Sequence, residues 1–208
     1  RRRHLLAESQ RSVPPPPRGC SRIVFTGSGN STGTPRPACF MQIDDRCDPA
    51  CKVSIMAMEG PPECNPNYRG NPALLIQYSS PDGVVKNYQI DTGKTYRESL
   101  LRWYPRFGVP WVDAVILTHD HADACFGLDE LRTVQRLPKQ VDVTAMAAHR
   151  EEICSLPVFV GDRHMDKFRR MFPYLMPQTP QPGKEVVARF TAKIDWIEVA
   201  DYNTFTCP

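Results

Sequence analysis

A chain of 208 residues with 41% apolar composition is long enough to bury one sizeable core. It has no run of about 18 apolar residues, which excludes a membrane-spanning helix, and no membrane partner is expected. The formal charge is +3, but residues 1–18 hold five Arg and one Glu, so the remaining chain carries −1 and offers no basic field for nucleic acid.

Residues 1–20 begin R-R-R-H-L-L-A-E-S-Q-R-S-V-P-P-P-P-R. So little apolar surface cannot offset the entropy of ordering, and a disordered basic, Pro-rich tail is predicted ahead of a domain over 21–208. The same composition fits the remains of a mitochondrial or plastid transit peptide, which sets an organelle beside the cytoplasm as the expected compartment. Next, R-I-V-F-T reads as a strand, and G-S-G-N-S-T-G-T-P as a loop whose glycines allow tight backbone geometry. The loop lacks the Lys of a P-loop and opens no G-x-G-x-x-G helix, so it carries no nucleotide signature.

Cys39, Cys47, Cys51 and Cys64 follow, spaced C-x7-C-x3-C-x12-C in a Cys-rich insertion over 39–64. Thiolates this close, in a segment too polar to form a core, suit a closed tetrahedral structural zinc; disulfides are the competing reading. Cys20, Cys125, Cys154 and Cys207 are scattered and read as buried or free thiols. Further on, A-L-L-I-Q-Y and V-V-K-N-Y-Q-I flank a Pro-Asp-Gly turn as a β-hairpin, whose second strand runs into Asp91-Thr92-Gly93. Thr95 with Glu98 is a capping-box pattern opening a helix over 95–104, with Tyr96, Leu100 and Trp103 or Tyr104 inward and Trp103 in the core.

The strand W-V-D-A-V-I-L-T then delivers Thr118, His119, Asp120, His121 and Asp123. The β-α-β unit so formed puts His119, His121 and Asp123 at a strand's C-terminal end, where open α/β sheets bind ligands. Imidazole and carboxylate are donors that zinc, iron and manganese accept, and a hydrolytic metal needs such a set with one position open. A bare H-x-H reads equally as two hydrogen-bonded loop histidines. Asp120 is expected to face away and stay solvated. Gly127 to Arg136 reads as a helix with Leu128, Leu131 and Val134 inward. Asp129 in its first turn suits the helix dipole, and a direct or water-mediated role at the metal is the alternative. Residues 141–147 read as a strand followed by a metal-free His149, residues 159–174 as a basic amphipathic helix with His164 on its surface, and 186–190 and 193–199 as the last strands.

With its apolar strand before it and G-L-D-E-L-R after it, T-H-D-H-A-D resembles the T-H-x-H-x-D-H signature of the metallo-β-lactamase fold. Ala124 stands where the signature has the histidine of a second metal. The form H-x-H-A-D-A resembles a plant and fungal branch similar to phosphoribosyl cyclic phosphate phosphodiesterases and, more distantly, to tRNA 3′-end processing endonucleases. The resemblance covers roughly residues 22–200 and implies an α+β fold, the αββα sandwich, incomplete at the C-terminus because the later ligands of the family are not found before Pro208. It implies zinc or manganese held by His119, His121 and Asp123, with Asp123 at the second metal or acting as base. It sets Asp91, as in an L-I-D-x-G element, and Thr118 behind the ligands, and Ser28, Asn30 and Ser31 in a loop beside the substrate. It agrees with a structural zinc in the Cys-rich insertion. The activity it implies is a metal-dependent hydrolase, a phosphodiesterase on a small phosphate ester. Three readings compete with it: an endoribonuclease, a glyoxalase-like thioester hydrolase, and an inactive zinc-stabilised fragment.

Overall fold

Every second residue of β2 (Ala73–Ser79) is buried, and so are Asn87 and Gln89 of β3 (Val85–Ile90), because a pleated strand alternates its side chains between two faces. The computed structural model describes residues 12–41, 48–137, 153–177, 191–200 and 203–208. Cys47, the expected strands over 141–147 and 186–190, and His149 lie outside the described residues. β1 (Ser21–Gly27), β2 and β3 form an antiparallel meander, with the expected hairpin closing over Ser80 to Val84. β4 (Ala114–Leu117), β5 (Leu156–Gly161) and β6 (Ile194–Val199) continue the sheet in parallel, in the order β1-β2-β3-β4-β5-β6.

The register gives the sheet two different faces. Val24, Leu75, Gln89, Val115, Val158 and Trp196 stand in one row across all six strands. Tyr96, Tyr104, Met165 and Phe168, from the helices that cover this face, join most of that row in one core. The row on the other face is Phe25, Leu74, Ile90, Ile116, Phe159 and Ile197. It is apolar yet partly open: Phe25 is 69% exposed, and Phe205 stacks on Phe159 at 4.6 Å between centroids. Two apolar faces, one under helices and one open to a further layer, are what a sheet of an αββα sandwich presents.

Five helices are described: α1 (Ala38–Met41), α2 (Pro49–Met56), α3 (Tyr96–Trp103), α4 (Ala122–Cys125) and α5 (Asp162–Met171). α3 crosses from β3 to the parallel β4, so the expected β-α-β unit is present. The expected capping box is not. Thr95 sits at the N-cap without a side-chain capping bond, and its hydroxyl instead accepts from the Asn71 backbone N–H at 2.8 Å. A long-range partner has outcompeted the local one. Trp103, placed in the core by the sequence, is only half-buried and lines a surface groove; Tyr104 takes the core position. Over the expected helix after Gly127, the chain forms a 3-10 segment, Leu128–Thr133, with Leu128, Leu131 and Val134 buried as expected. Of the expected tail, residues 12–20 are held to the domain: the Val13 N–H donates to Arg106 O, and the Arg22 guanidinium to Pro14 O.

Candidate metal centre

β4 is four apolar residues, three of them fully buried, and it ends at Leu117 where the chain leaves the sheet. His121 then caps α4, with φ −84° and ψ 160°, and Asp123 falls in its first turn. This strand-to-helix turn gathers His119, His121 and Asp123, each offering one donor atom, all within 4.8 Å of one another. His119 Nε2 lies 3.8 Å from Asp123 Oδ1, and the two imidazoles meet edge to face at 4.9 Å. It is the one group of metal-ligating side chains among the described residues.

The turn is held from below by Asp91-Thr92-Gly93. Thr92 N–H donates to Ala124 O, and Gly127 N–H to Thr92 O. A Cβ on Gly93 would lie 1.9 Å from the Asp123 carbonyl oxygen, so only glycine allows the ligand turn to come this close. Asp91 is left-handed, φ 57°, and its carboxylate accepts from both the backbone N–H and the hydroxyl of Thr118, at 2.8 and 2.7 Å. Burial pushes the Asp91 carboxyl up, against the lowering pull of those Thr118 bonds. Having given its single proton to Asp91, the Thr118 hydroxyl is an acceptor toward His119 Nδ1, 2.9 Å away. In neutral His119 the proton therefore sits on Nδ1, and Nε2 is the nitrogen left toward Asp123. This is the arrangement a metal-ligating histidine needs, so the donor set fits a divalent ion such as zinc or manganese.

Other site expectations need correction. Asp120 is not solvated: His164 Nδ1 lies 3.0 Å from Oδ2 and Lys167 Nζ 2.7 Å from Oδ1, leaving its side chain 14% exposed. Lys167 and then His164 hold its carboxyl down to about 2. His164 is accordingly not a surface residue but the contact through which α5 docks on the motif. Asp129 is outside the donor group and pairs with Arg132 at 2.9 Å. Ala124 is buried, and Cys125 behind it is a buried free thiol, pushed up to about 12 by burial. Ser28 lines the groove beside Trp103. The Asn30 side chain accepts from the N–H and hydroxyl of Thr32, and the carbonyls of Asn30 and Ser31 accept from the Asn71 amide.

In the Cys-rich segment, Asp48 caps α2 by accepting from the Cys51 N–H at 3.0 Å. Hydrogen bonds from Ser54 and then Cys51 lower the Cys39 thiol, so Cys39 and Cys51 are neighbours. Cys64 is exposed and forms no metal-sized group with them among the described residues, so the expected four-cysteine site is not assembled by the three that are described.

Sequence reasoning missed Gln89 and Asn71. Gln89 Nε2 donates to Asp91 O at 2.7 Å, and its Oε1 accepts from Tyr104 OH at 2.8 Å, bracing the left-handed Asp91 from inside the core. Asn71 ties the Gly-rich loop to the N-terminus of α3. For Gln89 the available signal was a long amide at the core-facing position of an alternating strand, where an apolar residue is the rule; Asn71 lies outside the strands and offered no such signal.

Residues 86–205, more than half of the chain, match the family described as the beta-lactamase superfamily domain. The chain belongs to the beta-lactamase superfamily. Its fold is that of the metallo-β-lactamase hydrolases, which usually bind metal ions such as zinc. Among curated proteins this superfamily member is similar to an octanoyltransferase of Porphyromonas gingivalis, with 28% identity over 184 residues, 86% of this chain and 29% of that protein. Among solved structures it is similar to a diphosphatase from the PhnP family: TM-score 0.53, 22% identity, 86% of this chain and 50% of that one. The short form of human tRNase Z is also similar: TM-score 0.43, 15% identity, 87% of this chain and 46% of that one. The chain thus spans about half the length of these structures and under a third of the curated relative.

Proposed function

We propose that this chain carries the first metal-binding half of a phosphodiesterase acting on a small phosphate ester, with His119, His121 and Asp123 as the protein ligands. The observation that carries this reading is the hydrogen-bond line Asp91–Thr118–His119, which leaves Nε2 of His119 as an acceptor aimed into a group of two further donors. A divalent metal, when bound, supplies the Lewis acidity that makes a water nucleophilic at neutral pH and polarises the ester.

The chain's own residues divide the remaining work. Asp91 and Thr118 fix the tautomer and ring plane of His119. Asp123 completes the donor set with its carboxylate, 3.8 Å from the imidazole of His119. Gly93 and Thr92 hold its turn in register with β4. Lys167 and His164 fix Asp120 and so stop it from competing as a fourth donor. Ala124 gives no side-chain donor where a second ion would need one, which favours a single ion bound by these three residues.

The test is hydrolysis of bis(p-nitrophenyl) phosphate by the purified chain with zinc or manganese added. Turnover that needs added metal and disappears in His121→Ala is the expected result. Turnover unchanged by His121→Ala contradicts the ligand assignment.

A further inference from the structure

β1 is an edge strand: it pairs with β2 on one side and, among the described residues, with nothing on the other. In an antiparallel pair, successive residues turn their N–H and C=O groups alternately toward the partner strand and away from it. The Ser79 N–H donates to Cys20 O, and the register runs on from there through Arg22↔Gln77 and Val24↔Leu75. Cys20, Arg22 and Val24 are therefore the residues bonded to β2. Ser21, Ile23 and Phe25 turn their backbone groups outward, where no described residue meets them. Natural edge strands are blunted by a charge, a proline, a bulge or a cover. Here Ile23 is 60% and Phe25 69% exposed, and no proline interrupts Ser21–Gly27. The one charge, Arg22, is engaged within its own chain: its guanidinium donates to Gln77 Oε1 at 3.3 Å and to Pro14 O, and its Cζ lies 5.7 Å from the Phe107 centroid. The break in register falls between Phe25 and Gly27, beyond the open stretch.

We propose that β1 is the docking edge for a second copy of this chain, the two β1 strands pairing antiparallel about a two-fold axis at Val24. That register sets Ile23 opposite the partner's Phe25, and Phe25 opposite the partner's Ile23. These are the residues with outward backbone groups, so each pair exchanges both of its N–H···O bonds. Their side chains share the open face of the sheet, an aromatic ring against a β-branched residue, which is a favourable cross-strand pair. Arg22 falls opposite the partner's Thr26, so no like charges meet across the axis. The strand is thus complementary to itself, which argues for a copy of the chain over an unrelated extended peptide. With two large side chains per copy the contact is small, and a weak, reversible dimer is expected. The edge lies outside the metal-ligand group, and the dimer does not rest on the hydrolase reading.

The test is sedimentation of the 208-residue chain over a range of concentrations, joined to backbone amide hydrogen exchange followed by NMR. A reversible monomer–dimer equilibrium is expected, unchanged in the His119→Ala, His121→Ala variant. In the dimer the Ile23 and Phe25 amides should exchange about tenfold more slowly, while those of Arg22 and Val24, already bonded to β2, should not change. Phe25→Lys and Ile23→Lys each put a charge on the edge and should weaken the dimer about tenfold or more. Both side chains are exposed, so the variant monomers should fold as wild type, and either variant decides the matter if the other does not. A chain that stays monomeric at every concentration would overturn the proposal, and so would a dimer in which Ile23 and Phe25 exchange as in the monomer. An association unchanged by the lysine variants would overturn it too. Protection of those amides only on adding an unrelated extended peptide would assign the edge to a different partner and overturn the dimer.

Discussion

Thr118 has one proton to give, and Asp91 takes it; everything about His119 as a donor follows from that. In Thr118→Val the hydroxyl is gone, Asp91 Oδ2 is left buried without a partner, and His119 is free to change tautomer. Metal affinity is expected to fall by roughly 10–100-fold, read by competition with a chelator, and urea unfolding to show a loss of about 1–3 kcal/mol. Thr118→Ser keeps the hydroxyl and should retain both. Asp120 gives a pH signature of opposite origin. Its folded-state carboxyl, at about 2, lies below the ordinary 3.8. The stability it contributes is therefore complete above about pH 4 and lost as pH falls toward 2. Lys167→Met should lower stability by about 1 kcal/mol at neutral pH, since the lysine is 43% exposed and the pair is screened. The gap to wild type should close on acidification; a gap that persists at pH 2 would refute the ion pair. His119, His121 and Asp123 were legible from spacing after an apolar strand. The role of Asp120 was not, because its partners come from a helix about 45 residues away that only the tertiary fold lays on the motif.

Elements were legible where periodicity dominates and illegible where a distant group competes with a local one. The hairpin, the β-α-β unit and the core of the basic helix follow from alternation, turn residues and amphipathic spacing. The helix expected over 159–174, however, is α5 only over Asp162–Met171, and residues 159–161 close the unexpected strand β5. Thr95 and Glu98 have the residues of a capping box, yet Asn71 from before β2 captures the threonine and ties α3 to the Gly-rich loop. Gly93 carried no local signal beyond its residue type, since what demands glycine there is the carbonyl of Asp123, thirty residues on. Gly93→Ala should drive the ligand turn off its seat. A loss of about 3 kcal/mol or more in unfolding free energy is expected, with loss of bound metal. An alanine variant that unfolds like wild type and keeps its metal would show that the close approach is not required.

The whole molecule is organised by the register of one six-stranded sheet. One row of that register builds the core and the other leaves an apolar face open, as an αββα sandwich requires. Composition and alternation announced a mixed α+β fold, but not which polar residues would be sealed inside it. Gln89 is fully buried, and with Tyr104 and Tyr96 it forms a hydrogen-bonded line from the core to the backbone of Asp91. Tyr104→Phe strands the Gln89 carbonyl and should cost about 1–3 kcal/mol of stability, measured by chemical denaturation; a neutral effect would deny the network its supporting role. The sheet, its core and this brace all converge on one claim, that β4 presents a metal site. Elemental analysis of metal per chain, on the purified protein and on its His119→Ala, His121→Ala variant, tests that claim most directly. The wild type is expected to carry one more divalent ion per chain than the variant. Equal metal content in the two would contradict the assignment.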